Sequence, residues 1–243
     1  MKLEALAVSV SFGAVRALDG VSIAVEDGRR RGLIGPNGAG KTTLFNIIAG
    51  DIRADVGTVS CDDRDVTRWP GWRRAQLGLG RTFQLSTPFP ELTVAENLAL
   101  AVRRRRGLGW RFWVTRREAE VQREVKERLT SAGLAPLAER HASNLAHGER
   151  RALEFEQALA LEPRALLLDE PMAGLSGAER HAAIDRLRQL PAHVSLLIIE
   201  HDLDFVFAVA DDVTVLDHGV VVADGPAEEV RRDPRVEAVY LSA

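Results

Sequence analysis

The stretch that decides the fold of this 243-residue chain is Gly35-Pro36-Asn37-Gly38-Ala39-Gly40-Lys41-Thr42-Thr43. It follows apolar residues 32–34, which predict a strand, and precedes residues 44–49, which predict a helix ended by Gly50. The pattern G-x-x-x-x-G-K-[ST] in this setting indicates a phosphate-binding loop, with Lys41 reaching the phosphates and the Thr42 hydroxyl offered to Mg²⁺. The alternative, a glycine-rich turn that matches by chance, is disfavoured because both the pattern and its setting are met.

Two acidic residues follow a second apolar run. Residues 165–168 predict a buried parallel strand, and Asp169 and Glu170 stand at its carboxyl end. That end is the edge at which open α/β sheets bind ligands. We therefore expect Asp169 to help hold Mg²⁺ and Glu170 to polarise the attacking water. A strand-end turn with two solvated acids is the alternative, and the phosphate-binding loop weakens it.

Two further polar residues are placed by their neighbours. His201 follows residues 194–199, the next buried strand, so we expect it at the same sheet edge as a γ-phosphate contact. A lone histidine is more often structural, and only this position reverses that expectation. Gln84 stands where the core meets a helical segment, and its amide is predicted to reach Mg²⁺ or the water.

Composition excludes several classes of protein. The net charge of −3 gives no basic field for nucleic acid, so no nucleic-acid partner is expected. The single cysteine, Cys61, rules out an internal disulfide. No apolar run reaches the roughly 18 residues that a membrane span needs, and the first residues lack the form of a signal peptide.

The pattern along the chain predicts one domain, residues 1–243, with two subdomains. Residues 4–12, 21–25 and 57–61 predict an antiparallel sheet around the phosphate-binding core, the second strand being bounded by turn signals at 19–20 and 27–28. Core and β subdomain are predicted at about 1–87 and 161–243. A helical subdomain is predicted at about 88–160, with capping boxes at Thr93 and Thr115. Residues 213–223 predict a hairpin.

These motifs together resemble the nucleotide-binding subunit of an ABC transporter over nearly the whole chain. The resemblance implies an α/β fold with a P-loop NTPase (RecA-like) core, an antiparallel β subdomain and an inserted helical subdomain, and it implies hydrolysis of ATP with Mg²⁺. It makes Gln84 the Q-loop residue, His201 the H-loop residue and Phe12 the ring that stacks on adenine. It places the D-loop at Gly174-Leu175-Ser176 and the signature at Leu145-Ala146-His147-Gly148-Glu149.

The signature departs from the family's usual L-S-G-G-Q. Ala146 lacks the serine hydroxyl that would donate to a γ-phosphate, and Glu149 replaces glutamine. Because an acid near a triphosphate is unfavourable, Glu149 is expected to turn away or to pair with Arg150 or Arg151. Ser176 stands where Asp or Asn is usual in the D-loop.

The resemblance also implies partners. In this family the signature contacts ATP bound to the opposite subunit, which implies a second ATP-binding subunit, either a copy of this chain or a sister ATPase. It further implies two membrane-spanning permease subunits, indirectly an extracytoplasmic solute-binding protein, and a peripheral position on the cytoplasmic face of the inner membrane.

A finer similarity points to the ATPases of branched-chain amino acid importers. It lies in four stretches: Arg81-Thr82-Phe83-Gln84, Leu92-Thr93-Val94-Ala95-Glu96-Asn97, Ile199-Glu200-His201-Asp202 and Val236-Glu237-Ala238-Val239-Tyr240-Leu241. Alternatives are importers of urea or short amides and the ATPase of lipopolysaccharide export. A soluble ABC ATPase, a metabolite kinase and a weakly hydrolysing structural partner are rivals from other classes.

A basic run in the helical segment leaves two interpretations open. The arginines at 103–106, 111, 116 and 117 are interleaved with Trp110, Phe112 and Trp113. They form either a solvated face or a surface at the membrane boundary.

Overall fold

The computed structural model describes residues 1–81, 88–108 and 116–241. Its strands are β1 (Leu3–Phe12), β2 (Val15–Val25), β3 (Arg30–Ile34), β4 (Val56–Cys61), β5 (Arg64–Asp65), β6 (Leu79–Arg81), β7 (Ala165–Asp169), β8 (Ser195–Ile199), β9 (Asp212–Asp217) and β10 (Val220–Pro226). Its α-helices are α1 (Lys41–Ala49), α2 (Gly71–Ala75), α3 (Val94–Arg105), α4 (Arg116–Ser131), α5 (His147–Ala160), α6 (Gly177–Arg188), α7 (Leu203–Val209), α8 (Ala227–Val230) and α9 (Pro234–Leu241). Gln84, Trp110, Phe112, Trp113 and Thr115 lie outside the described residues.

The chain forms two compact units. The first contains residues 1–80, 164–173 and 184–243, and the second contains residues 81–163 and 174–183.

The first unit is built on two sheets. One has the order β2-β1-β4-β5 and is antiparallel throughout. The other has the order β10-β9-β3-β8-β7-β6, and in it β3 runs parallel to both β8 and β9, while β7 runs parallel to β8. Strands β7 and β8 are apolar and almost fully buried, as expected for strands covered on both faces. The predicted hairpin is confirmed as β9 and β10.

The predicted start of the second strand was wrong. Asp19-Gly20 was interpreted as a turn before residue 21, but both residues lie inside β2, which begins at Val15. The β1–β2 register shifts here, because Val8 pairs with Val21 whereas Val10 pairs with Leu18. Gly20 has a φ of +65°, which glycine adopts without steric cost, so the Asp-Gly pair forms a bulge instead of a turn.

The second unit is helical and has its own core. Leu98, Val102, Val121, Val125 and Leu129 are all buried in one apolar cluster. The predicted capping box at Thr93 is confirmed, because Thr93 Oγ1 accepts from the Glu96 N–H and the Glu96 carboxylate accepts from the Thr93 N–H. These bonds satisfy amides that begin α3 without intrahelical partners.

Three arginines of the basic run pair with acids of the same unit. Arg103 contacts Glu118 at 2.8 Å, Arg105 contacts Glu124 at 2.6 Å, and Arg106 contacts Glu124 at 2.9 Å. The ion pairs join α3 to α4. These three arginines therefore form ion pairs within the second unit, a role that neither interpretation of the basic run included.

Candidate nucleotide-binding and hydrolysis site

Residues 35–40 join β3 to α1, and residues 41–43 form the first turn of α1, so the strand–loop–helix setting that the motif predicts is present. Gly40 has a φ of +100°, and a Cβ there would lie 2.7 Å from the Ala17 carbonyl oxygen, so both its conformation and its surroundings require glycine. A Cβ on Gly38 would meet no atom within 4 Å, so this side of the loop is open to a ligand. The first amides of α1 and the positive end of its dipole complete an anion-binding geometry.

Lys41 is buried and is held by the loop itself. Its Nζ donates to the carbonyl oxygens of Gly35 at 2.7 Å and Pro36 at 2.8 Å. Burial lowers the pKa of Lys41, and the nearby carboxylates of Glu170 and Asp169 oppose that change. These electrostatic contacts show that the fold brings Lys41 together with Asp169 and Glu170, the two acids that end the leucine run.

Asp169 and Glu170 end β7 at the expected sheet edge. Asp169 is in register with Ile199 of β8, and Ile199 is in register with Leu33 of β3, so the three strands end together. Glu170 adopts a left-handed φ of +46°, and its N–H donates to the Ile199 carbonyl oxygen at 2.9 Å. A glutamate in this conformation is strained, and such strain is characteristic of functional turns.

His201 lies at the same edge, because it follows β8 by two residues. Its side chain is exposed, whereas the preceding Glu200 is fully buried and contacts the His201 Nδ1 at 3.5 Å. The sequence marked Glu200 only as a point of family resemblance and gave it no role. A charged residue directly after a buried apolar strand was the signal that could have identified it.

Tyr240 of α9 lies beside the start of the phosphate-binding loop. Its hydroxyl is buried and makes no hydrogen bond with the described residues. Burial raises the pKa of Tyr240 to about 12, while the nearby Gly35 N–H favours the phenolate and lowers it. The C-terminal helix therefore contacts the loop, which the sequence did not predict.

The pKa of Tyr240 gives a measurable prediction, because it is the only tyrosine of the chain. Tyrosinate absorbance of the native chain should rise near pH 12, against the ordinary value of 10.0. The folded-state pKa is raised, so the stabilisation is present below the unfolded pKa and is lost as the pH rises towards 12. A rapid pH jump measures the native chain before it unfolds. Denatured chain and Tyr240→Phe are the controls, and native titration at the ordinary value would contradict the burial.

The signature segment lies in the second unit, at the start of α5. Ala146 is the N-cap residue, and its N–H donates to the Glu149 carboxylate at 2.8 Å. Glu149 also contacts Arg140 at 3.6 Å, whereas the sequence suggested Arg150 or Arg151 as its partner. The acid at this position is thus turned back onto its own helix end and paired, as its chemistry requires.

Ser176, the predicted D-loop residue, and Gly148 of the predicted signature both lie beside the Glu179 carboxylate. The Glu179 carboxylate accepts from the Ser176 N–H at 2.8 Å and from its hydroxyl at 2.6 Å, at the start of α6. A Cβ on Gly148 would collide with the same carboxylate. A Cβ on Gly174 would lie 2.8 Å from the His147 Nε2. Glu179 therefore adds negative charge at the start of α5.

The remaining predicted site residues are Gln84, Phe12 and the expected Mg²⁺ ligands. Gln84 lies outside the described residues. Phe12 ends β1 and is 51% exposed, so its ring can accept a flat ligand. The Thr42 hydroxyl and the Asp169 carboxylate are oxygen donors of the kind Mg²⁺ prefers. Within the described residues no three His, Cys, Asp or Glu side chains form a metal-binding cluster.

Comparison with known proteins agrees with this geometry. A sequence profile described as "ABC transporter" matches residues 18–173, more than half of the chain. The chain belongs to the ABC transporter family. In the described ranges of this ABC cassette, no helix has the length and apolarity to cross a membrane.

Curated relatives match the cassette over nearly its full length. The high-affinity branched-chain amino acid transport ATP-binding protein BraF of Pseudomonas aeruginosa is 36% identical, covering 98% of this chain and 97% of BraF. The transport ATP-binding protein LivG of Salmonella typhimurium is 37% identical, covering 95% and 93%. A solved ATP-binding cassette of an ABC transporter, in its ADP conformation, has a TM-score of 0.84 at 32% identity over 100% of both chains. The fold class and the identification as an ATP-binding ABC ATPase are thereby confirmed.

Proposed function

We propose that this cassette hydrolyses ATP to power uptake of branched-chain amino acids. The observation that carries the proposal is the full-length similarity to BraF and LivG, both named for branched-chain amino acid transport. The geometry supports the ATPase part, because loop, acids and histidine meet at the ends of β3, β7 and β8.

The chain's own residues divide the work of hydrolysis. The loop amides and Lys41 bind the phosphates, and Lys41 neutralises charge that develops during the reaction. Thr42 and Asp169 would hold Mg²⁺, which supplies further neutralisation when bound. Glu170 orients the attacking water and accepts its proton, while His201 and Gln84 contact the γ-phosphate and the water.

The second unit carries the residues that we propose to contact a partner subunit. Residues 145–149 and Ser176 contact ATP held by a second ATP-binding subunit, a copy of this chain or a sister ATPase. Two permease subunits bind the pair at the cytoplasmic face of the inner membrane, and a solute-binding protein delivers the amino acid. ATP favours the paired state only by its differential affinity for it, and hydrolysis removes that difference.

Uptake assays in the host organism test the substrate. Deletion of the gene should remove high-affinity uptake of radiolabelled leucine, isoleucine and valine. The wild-type gene should restore uptake, and Lys41→Ala should not, because it lacks the phosphate-binding ammonium. Urea uptake should be unchanged in the deletion strain. Normal leucine uptake together with lost urea uptake, or with a defect in lipopolysaccharide export, would overturn the assigned substrate and favour the corresponding alternative.

A further inference from the structure

A single buried carboxylate connects the two loops that carry Glu170 and His201. Glu200 has 0% exposure and lies directly after β8. One of its oxygens accepts from the Met172 N–H at 2.8 Å, two residues beyond Glu170. The other accepts from the His201 N–H at 3.0 Å and the Asp202 N–H at 3.4 Å. Glu200 therefore bridges the turn after β7 and the turn after β8.

This arrangement is costly unless the charge is satisfied. A buried carboxylate is stable only when hydrogen-bond donors surround it, and hydrogen bonds to a charged acceptor are stronger than neutral ones. Three backbone amides provide that environment here, and the His201 Nδ1 lies 3.5 Å from the same carboxylate. The Glu200 carboxylate thus holds the three amides in place, and the amides satisfy its charge.

The exposed side chain of His201 needs an anchor of this kind. It is 67% exposed, so packing does little to hold the imidazole in one rotamer. Its backbone N–H and its Nδ1 both face Glu200, which leaves the Nε2 edge to point away from the carboxylate. A contact at Nδ1 sets the tautomer and the orientation of a functional imidazole.

We propose that Glu200 is a positioning residue of the hydrolytic site, which acts through His201 by locking the H-loop to the turn that follows Glu170. The inference rests on the proposed role of His201 as a γ-phosphate contact. It differs from a purely structural role, in which Glu200 satisfies buried amides for stability and leaves turnover unaffected once the chain is folded.

Glu200→Gln is the decisive variant, because it keeps the shape of the side chain but replaces one acceptor oxygen with a donor. We expect kcat for ATP to fall about tenfold or more, with KM and nucleotide Kd within about twofold of wild type. In a His201→Ala background the same substitution should lower kcat by less than about twofold, because its effect passes through His201. Glu229→Gln, at an exposed acid of the same unit, is the matched control and should leave kcat, KM and nucleotide Kd at their wild-type values.

The outcomes separate this inference from the proposed function. If His201→Ala keeps full turnover, the proposed role of His201 fails. If His201→Ala loses turnover while folded Glu200→Gln does not, the positioning role alone is overturned, and an equal kcat loss from Glu200→Gln with and without His201 overturns it too. If Glu200→Gln does not fold, Glu200→Asp, which keeps the charge but shortens its reach, should show the same fall in kcat and the same dependence on His201, and normal kcat would count against the proposal.

Discussion

Glu170→Gln should lower ATP turnover by on the order of 10²–10⁴-fold while ATP binding persists, because it removes the carboxylate proposed to accept the water's proton. Lys41 and the loop amides, which are proposed to hold the phosphates, are unchanged by this substitution. Glutamine has the same length and the same cost in the left-handed conformation that Glu170 adopts, so the turn should remain folded. Steady-state ATPase rates and nucleotide Kd, measured separately, give the two halves of this result.

The same variant should trap the paired state. With hydrolysis blocked, the γ-phosphate continues to favour closure, so two ATP-binding subunits should stay associated in ATP and separate in ADP. Light scattering measures this association directly. Glu139→Gln, at an exposed acid of the second unit, is the control and should leave both turnover and association at wild-type values. Normal hydrolysis by Glu170→Gln would show that Glu170 is not the base.

Association of the two subunits also depends on the unusual signature, because residues 145–149 are proposed to contact ATP held by the partner subunit. The family pattern suggested that an acid at position 149 would weaken phosphate binding. In the structure this carboxylate is turned back to the Ala146 N–H and lies near Arg140, so its charge is partly compensated at its own helix end. The neighbouring Glu179 carboxylate is the acid that lies against Gly148. Electrostatic opposition to a partner's phosphate would therefore come from residue 179 as well as from residue 149.

The elements of the fold that the sequence predicts are those determined by residues close together in the chain. The phosphate-binding loop, its helix and the buried strands β7 and β8 follow from patterns within about ten residues. The capping box of Thr93 follows from spacing alone, because its acid, Glu96, stands three residues after the cap. The start of β2 failed because Asp-Gly serves equally in a turn and in a bulge, and only the pairing partner β1 decides between them.

Residues that act at long range were not predictable from the sequence. Glu200 contacts Met172, 28 positions earlier in the chain, and Tyr240 lies beside Gly35, far earlier still. No periodicity encodes such contacts, since they depend on which strands become neighbours in the sheet. The motifs thus predict candidate reacting groups, whereas the contacts of Glu200 and Tyr240 emerged only from the fold.

Arg74 is the strongest case of a residue whose role the sequence conceals. Arg73-Arg74 resembles an exposed basic pair, yet the Arg74 side chain is only 1% exposed. Its guanidinium donates to the carbonyl oxygens of Ile47 at 2.7 Å and Ile48 at 2.6 Å, in the last turn of α1. It also donates to the carbonyl oxygens of Trp69 at 3.0 Å and Thr67 at 3.2 Å. The phosphate-binding helix therefore ends on a buried cation, which also complements its dipole.

Arg74→Met should destabilise the first unit by about 3 kcal/mol or more, because it leaves several buried carbonyl oxygens without this donor. Methionine fills similar space, so the loss reports hydrogen bonding and charge more than volume. For a chain of this size the melting temperature should fall by roughly 6–12 °C. Nucleotide affinity should also weaken, because α1 carries the phosphate-binding loop at its other end. Thermal and denaturant unfolding, with nucleotide titration on the folded fraction, measure both effects.

The neighbouring arginine provides the matched control. Arg73 is exposed, and its guanidinium lies 3.9 Å from the Trp69 ring centroid, a contact that contributes only about 0.5–1 kcal/mol at an exposed site. Arg73→Met should therefore cost about 1 kcal/mol or less and leave nucleotide affinity unchanged. Arg74→Lys keeps the charge but concentrates its donors on one nitrogen, which cannot reach all four carbonyl oxygens, so it should recover part of the stability. Equal losses from Arg73→Met and Arg74→Met would show that burial of the guanidinium contributes nothing specific, and that the end of α1 is stabilised by its packing alone.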